Sequence, residues 1–536
     1  MSVISGDTDA RAQQREAARM PRGIPYIIVN EFAERFCYYG INSILAFYLV
    51  QYLHFGEADA TAWGSLFKSG SYFFPLLGAI VSDVFWGKFR TVLTFSMFYC
   101  AGCVILALSQ TPGMIGAGLL LVAFGTGGIK PCVATNVGDQ FTKANEHLIE
   151  RAFGWFYLAI NAGSMISIWY CPVLLKSYGP GAAFGLPAAM MFVATLAFWG
   201  GRRKFAAVPP AGRVWLEEIF SPIGRKTVAR LLGIYVFIAF FWALWDQSNG
   251  TTWSLQARSD LMDKHVGFGI TMLPAQVQFV NALFILILTP FFSYVVYPFF
   301  ARFVKVTPLR KIGAGLVVTA SSFLIIAWIE SRIQSGHVVS VWWQILAYVI
   351  LSAGEVLVSI TGLEYSYKQA PLTMKSFVMA LFLLSVSAGN LFTAVVNEAM
   401  VRPVQAGAMT VGGETWLAVR GAEAFVEGQK IDFDGATGVQ VVGAAGQREG
   451  LAGTYLVQSV DPAGGRLRLM DAVTRRPLVT EGSFDAAHAQ VSTYSLVGPV
   501  YFLFFAALLG ALAVVFVFVA MAVKETVHVR SDGAAS

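Results

Sequence analysis

Charge is what this sequence has least of. Only 13% of its 536 residues are Asp, Glu, Lys or Arg, against 56% hydrophobic ones, a balance that excludes a soluble globular protein of this length. The mean hydropathy of +0.61 points instead to a polytopic membrane protein. Histidine is also scarce, at six residues. No His/Cys cluster with metal-ligand spacing occurs, so neither a metal nor another cofactor is expected. The five cysteines, Cys37, Cys100, Cys103, Cys132 and Cys171, lie in apolar stretches and read as small buried hydrophobes. Cys100 and Cys103 have redox spacing but lack the βαβ surroundings of a redox motif. The polar N-terminal stretch carries Arg11, Arg15 and Arg19 with no apolar h-region behind it, so no cleavable signal peptide is expected. The net charge of +6 comes from basic residues in short loops between apolar runs, which gives no reason to expect a nucleic-acid partner.

What the chain does have is about twelve apolar runs of the roughly 20 residues needed to cross a bilayer. The positive-inside rule puts both termini and the long central loop in the cytoplasm, because the short loops with Lys88 and Arg90, Arg302 and Lys305, and Lys368 and Lys375 fall on one side. The expected organisation is a cytoplasmic tail over 1–23, six spans over 24–202, a cytoplasmic linker over 203–227, and spans 7–11 over 228–400. Span 12 follows over 495–523, then a cytoplasmic tail over 524–536. A short amphipathic piece is expected at Trp215–Phe220 within the linker. Two six-helix bundles closing on a shared central site are a common transporter plan. Residues 401–494 break the pattern. They are rich in Gly, Asp, Thr and Val, and Thr454–Val460 and Arg466–Met470 flank Asp461-Pro462-Ala463-Gly464-Gly465 as a β-hairpin. This segment reads as a small β-rich insert on the non-cytoplasmic side. Asp432-Phe433-Asp434-Gly435 hints at a calcium loop, but the later ligands are missing and a turn is expected.

Charges inside the apolar runs are costly and therefore functional suspects. In the first run, Glu31, Glu34, Arg35, Tyr38 and Asn42 share one helical face. Glu31 and Arg35, at i and i+4, are placed to pair, which leaves Glu34 over and suited to proton handling. Gly125-Thr126-Gly127-Gly128-Ile129-Lys130-Pro131 lacks the Walker spacing and sits in a helix, so its glycines read as packing sites. Lys130 then needs a partner, and the similarly isolated Glu355 is the best candidate for a breakable pair. In Gly78–Arg90, Asp83 stands at a helix end. Gly87 permits a tight turn bringing Lys88 and Arg90 back toward it. That loop resembles the signature of the major facilitator superfamily.

The stretches Glu31-x-x-Glu34-Arg35-Phe36-x-Tyr38-Tyr39, Gly127–Pro131 and Phe153–Met165 together closely resemble the proton-dependent oligopeptide transporter family, a branch of that superfamily. The likeness continues through Phe241–Gln247, Gln276-x-Gln278-x-x-Asn281, Glu364–Tyr367 and Ala370-Pro371. It covers nearly the whole chain apart from the insert. It implies a major facilitator fold and proton-driven uptake of di- and tripeptides by alternating access, by a protein that is not an enzyme and is expected to be monomeric. Absence of compartment signals and a cysteine-free insert fit a cell inner membrane. By this resemblance Arg35 and Lys130 would attract the peptide carboxylate and Glu355 would face its amino terminus. Tyr38, Tyr39, Tyr72, Asn161, Trp242 and Asn281 would line the pocket. Glu31, Glu34, Asp246 and Glu355 would handle protons, and Lys130–Glu355 would open and close as a gate pair. An aromatic wall suits varied side chains, since it offers area without demanding one hydrogen-bond pattern.

The sequence also departs from that family. Many members carry Arg seven residues after the motif arginine, paired with the span 7 acid across the outer gate, and here that position is Asn42. Lys68, at similar depth in span 2, is expected to replace it as the partner of Asp246, the alternative being a lysine snorkelling to the interface. Ser65 takes the place of a proton-handling histidine found in some relatives, which would leave coupling to carboxylates. The short linker argues for twelve spans rather than fourteen. Two other functions are weighed: the same fold carrying another small zwitterion or an anion such as nitrate, and a membrane enzyme or sensor working through the insert. Glu355 and Lys130 together favour a zwitterion, and the insert shows no nucleophile elbow or metal spacing.

Overall fold

The structure is a computed structural model. It describes residues 19–522 apart from 110, 143–144, 207–208, 211–216, 218–219, 370–374, 435, 437, 444–446 and 487. The tails beyond this range, most of the Trp215–Phe220 piece and the Ala370-Pro371 pair lie outside the described residues.

All twelve expected spans are helical. The first bundle contains α1 (Ile24–Gln51), α2 (Glu57–Ile80), α3 (Lys88–Leu108), α4 (Pro112–Asp139), α5 (Ile149–Tyr178) and α6 (Pro180–Gly200). The second contains α7 (Pro222–Ser248), α8 (Phe279–Phe291), α9 (Pro308–Gln334), α10 (Val341–Glu355), α11 (Lys375–Met400) and α12 (Pro499–Ala522). Among the described residues, ten helices are long and apolar enough to cross a membrane. Helices α1 and α2 fall outside that ten because they carry the charges the site needs: Glu31, Glu34 and Arg35 in one, Glu57, Asp59 and Lys68 in the other. Helix α7 starts earlier than expected. Ser221 accepts a hydrogen bond from Gly224 N at 3.0 Å, and Pro222 occupies the first turn where its missing N–H costs nothing, so the linker is shorter than 203–227.

Each bundle has its own apolar core, one built from α1–α6 around Tyr48, Phe184 and Phe198, the other from α7–α12 around Phe241, Phe323 and Phe505. Within the first, Gly127 and Gly128 carry out the packing role expected of them. A Cβ at Gly127 would lie 2.4 Å from Phe74 and one at Gly128 2.2 Å from Phe95, so α4 presses directly on α2 and α3. Between the bundles, α2 runs along α11, with Ser69 Oγ donating to Ser387 O at 3.0 Å, and α5 meets α8 through Trp169 and Phe279. Three helices loosen into wide π-type turns at residues 81–86, 292–296 and 356–360. The last begins immediately after Glu355, and such turns recur at functional sites.

The insert is β-structured over Val401–Tyr494, as expected. Its larger sheet has seven strands and its smaller one four. The expected hairpin is present as Gly453–Asp461 and Arg466–Asp471, antiparallel with Asp461 opposite Arg466. The Asp432–Asp434 stretch is no turn. It belongs to the strand Lys430–Asp434, paired on both sides, and no metal-binding group of three or more ligands occurs among the described residues.

Candidate functional site

The charged face of α1 points into the protein. Glu31, Glu34, Tyr38 and Asn42 are buried, and Arg35 nearly so. Arg35 Nε donates to Glu31 Oε1 at 2.7 Å, the i,i+4 pair expected. Glu34 is not left over, because its Oε2 lies 3.1 Å from the same Nε. Neither Glu34 oxygen receives a hydrogen bond. Two carboxylates therefore share one guanidinium, and the one with no donor of its own is the natural proton acceptor.

Lys130 and Glu355 are not joined in this conformation. Lys130 Nζ sits 4.2 Å from the Tyr38 ring centre and 3.9 Å from that of Tyr72 and makes no hydrogen bond. The two aromatic faces hold it through their quadrupoles. Glu355 Oε2 accepts from Trp245 Nε1 at 2.7 Å and from Asn281 Nδ2 at 2.9 Å, while Asn281 also donates to Ser352 Oγ at 3.0 Å. The cationic pole thus belongs to the first bundle and the anionic pole to the second, each satisfied locally. Tyr39 and Tyr72 are half-buried beside Tyr38. Asn161 is committed to its own helix, donating to Tyr157 O at 2.8 Å. Trp242 is buried with its ring 5.2 Å from that of Trp245. Of the two tryptophans in Phe241–Gln247, the one that touches Glu355 is Trp245, not the Trp242 singled out from the sequence.

Toward the insert, the bundles are locked together. Lys68 and Asp246 form an ion pair, their side chains only 1% and 0% exposed. Ser65 Oγ donates to the Asp246 carboxylate at 2.5 Å. Lys68 Nζ also donates to Asp246 O at 3.1 Å and Asn249 O at 3.0 Å, carbonyls at the C-terminal end of α7. Lys68 therefore does not snorkel. Asn42 donates to Asn249 Oδ1 at 3.1 Å.

At the opposite end a cavity opens between the bundles. It has a volume of about 630 Å³ and lies between α2, α4 and α5 on one side and α11 and the helix Thr361–Gln369 that follows α10 on the other, lined among others by Lys130, Asp83, Asp139, Leu363 and Met379. Gly87 makes its turn at φ 75°. The loop does not close on itself as expected, however. Lys88 pairs with Asp139 at the end of α4 and Arg90 is exposed, so the Asp83–Lys88–Arg90 latch is corrected to Lys88–Asp139. A polar residue closing a long apolar helix was the only sign of Asp139 in the sequence.

The POT family profile matches residues 89–223 and 217–417. "Peptide transporter family 1" of Caenorhabditis elegans is 34% identical over 382 residues, covering 59% of this chain and 45% of that protein. "Solute carrier family 15 member 2" of Danio rerio is 35% identical over 377 residues, covering 59% and 52%. The chain spans about half the length of these curated relatives. The crystal structure of the POT family transporter PepTSo superposes with a TM-score of 0.65 at 35% identity, over 71% of this chain and 90% of that one. A mutant of the peptide transporter POT crystallised with alafosfalin gives 0.63 at 25%, over 72% and 92%. Fold, profile and relatives agree: the chain is a multi-pass membrane protein of the major facilitator type and belongs to the POT family.

Proposed function

We propose that this protein is a proton-coupled symporter of di- and tripeptides that works by alternating access. The observation that carries the reading is the placement of opposite poles on opposite bundles. Arg35 and Lys130 stand on one side and Glu355 on the other, with Tyr38, Tyr39 and Tyr72 between them. A short zwitterion satisfies both poles at once and draws the bundles together. The conformation supports one half of the cycle, with the outer gate paired and the far end spacious. Peptide carboxylate would settle on Lys130 and Arg35, its amino group on Glu355. Protons, as the coupling ion, would exchange at Glu34 with Glu31, and at Asp246 when the outer pair opens. In this reading the Lys88 side and both termini face the cytoplasm, the insert faces outward, and a single chain in an inner membrane is the working unit.

The test is uptake of labelled dialanine into liposomes with and without an imposed proton gradient, beside Glu34→Gln. Accumulation that needs the gradient and is lost in the variant is the expected result. Gradient-driven uptake of nitrate or a non-peptide zwitterion, with none of dialanine, would overturn the peptide assignment.

A further inference from the structure

The insert is not a bystander. It is carried by α11 and α12 of the second bundle, yet it grips the first bundle at the start of α2. Glu57 is held from two directions, by Lys430 of the insert at 2.5 Å and by Arg258, just past the end of α7, at 3.6 Å. The Glu57 N–H donates to Thr454 Oγ1 at 3.0 Å and the Ala58 N–H to the Tyr494 hydroxyl at 3.2 Å. Insert side chains thereby satisfy two of the four N–H groups that a helix start leaves open. The Tyr494 hydroxyl in turn donates to Asp432. The α1–α2 loop presses on the same strand, since a Cβ at Gly56 would lie 2.6 Å from Asp432 Cγ. On its other side the insert rests on its own bundle, where the Asp260 N–H donates to Val473 O at 3.0 Å.

We propose that residues Lys430, Asp432, Thr454 and Tyr494 of the insert form a second outer gate, a strap across both bundles that must release the Glu57 end of α2 each time the outer mouth opens. The inference rests on the alternating-access reading. In that motion the outer ends of α2 and α7 separate, and a contact anchored to the second bundle but closed on α2 has to break. Residues Glu57 and Arg258 would part in the same movement.

The geometry supplies its own test. Cysteines at 56 and 432 fall within reach of a disulfide, and the five native cysteines are buried. In full-length Gly56→Cys/Asp432→Cys protein, hydrogen exchange of residues 60–70 and 243–256 is followed by mass spectrometry, oxidised and then reduced, with dialanine uptake measured on the same material. The expected result is exchange slowed at least about tenfold on oxidation and restored by reductant, because an opening blocked by the strap no longer exposes these amides. Lys430→Gln, with no crosslink, is expected to speed the same exchange about threefold. A fully formed disulfide that leaves exchange unchanged would overturn the strap, whichever solute is carried. Exchange that responds while the reduced protein moves no dialanine would leave the strap standing and remove the peptide reading. Reversal by reductant on the same molecules excludes misfolding as the cause.

Discussion

Lys68 and Asp246, on the insert side of the bundle interface, are in contact. Lys130 and Glu355, farther toward the other end, are not, although both couples join a lysine of the first bundle to an acid of the second. The difference lies in what each charge finds when its partner leaves. Lys130 has two aromatic faces, and Glu355 has an indole N–H and an amide N–H. Lys68 and Asp246 have little beyond each other, a serine and the end of α7. A pair with local substitutes is easily left open for a ligand to bridge. A pair without them closes firmly, because a stranded buried charge costs about 3–5 kcal/mol.

The strongest way to break this contrast is at the firm pair. Lys68→Ala strands Asp246 and is expected to cost about 3–5 kcal/mol of folding stability and to abolish gradient-driven uptake. Lys68→Met/Asp246→Leu should recover most of the stability in a thermal melt without recovering the pH profile of transport. Next in size, Glu34→Gln keeps the shape of the α1 site but removes a proton acceptor. Uptake against a gradient should fall by about 10²-fold, while exchange of labelled for unlabelled peptide across the membrane persists. A smaller effect is expected on the loose pair. Trp245→Phe removes one of the two donors on Glu355, worth about 1 kcal/mol. The KM for dialanine should rise roughly fivefold with the maximal rate nearly unchanged, because the acid is then freer to swing toward Lys130.

A further effect concerns the strap on the firm side and bears on stability rather than transport. Burial pushes the Asp432 carboxyl up to about 6 from an ordinary value near 3.8. The folded protein therefore holds a proton that the unfolded chain has lost between about pH 4 and pH 6. Stability falls as pH rises through that window and is lowest, for this group, above it. Asp432→Asn should flatten that slope and stabilise the insert at pH 7 by on the order of 2 kcal/mol, read as a melting curve of the full chain at pH 5 and pH 7.

The parts of this site that could be read from sequence are those fixed by one helix or by the cost of buried charge. Spacing alone placed Glu31, Glu34, Arg35 and Tyr38 on one face, and Lys68 came into view because the family resemblance leaves Asp246 without an arginine partner at Asn42. What could not be read were choices settled between helices. Trp242 and Trp245 are both plausible beside Glu355, and only the rotation of α7 against α8 and α10 decides for Trp245. Lys88 had Asp83 near it in sequence and Asp139 near it in space, and the second won. The strand through Asp432 looked like a turn because its Asp-rich pattern is local, whereas its two neighbouring strands are not. The grip on Glu57 was invisible for the same reason, since it joins residues 373 positions apart.

Asn42 and Lys68 together carry one more consequence. The cation facing Asp246 comes from α2, while α1 at the same level offers only an amide. Both helices belong to one bundle, so the closing of this contact is indifferent to which of them supplies the charge. A residue that pairs across two bundles has an address in space rather than along one helix. Depth and facing partner, not membership of a particular span, decide where such a charge can stand.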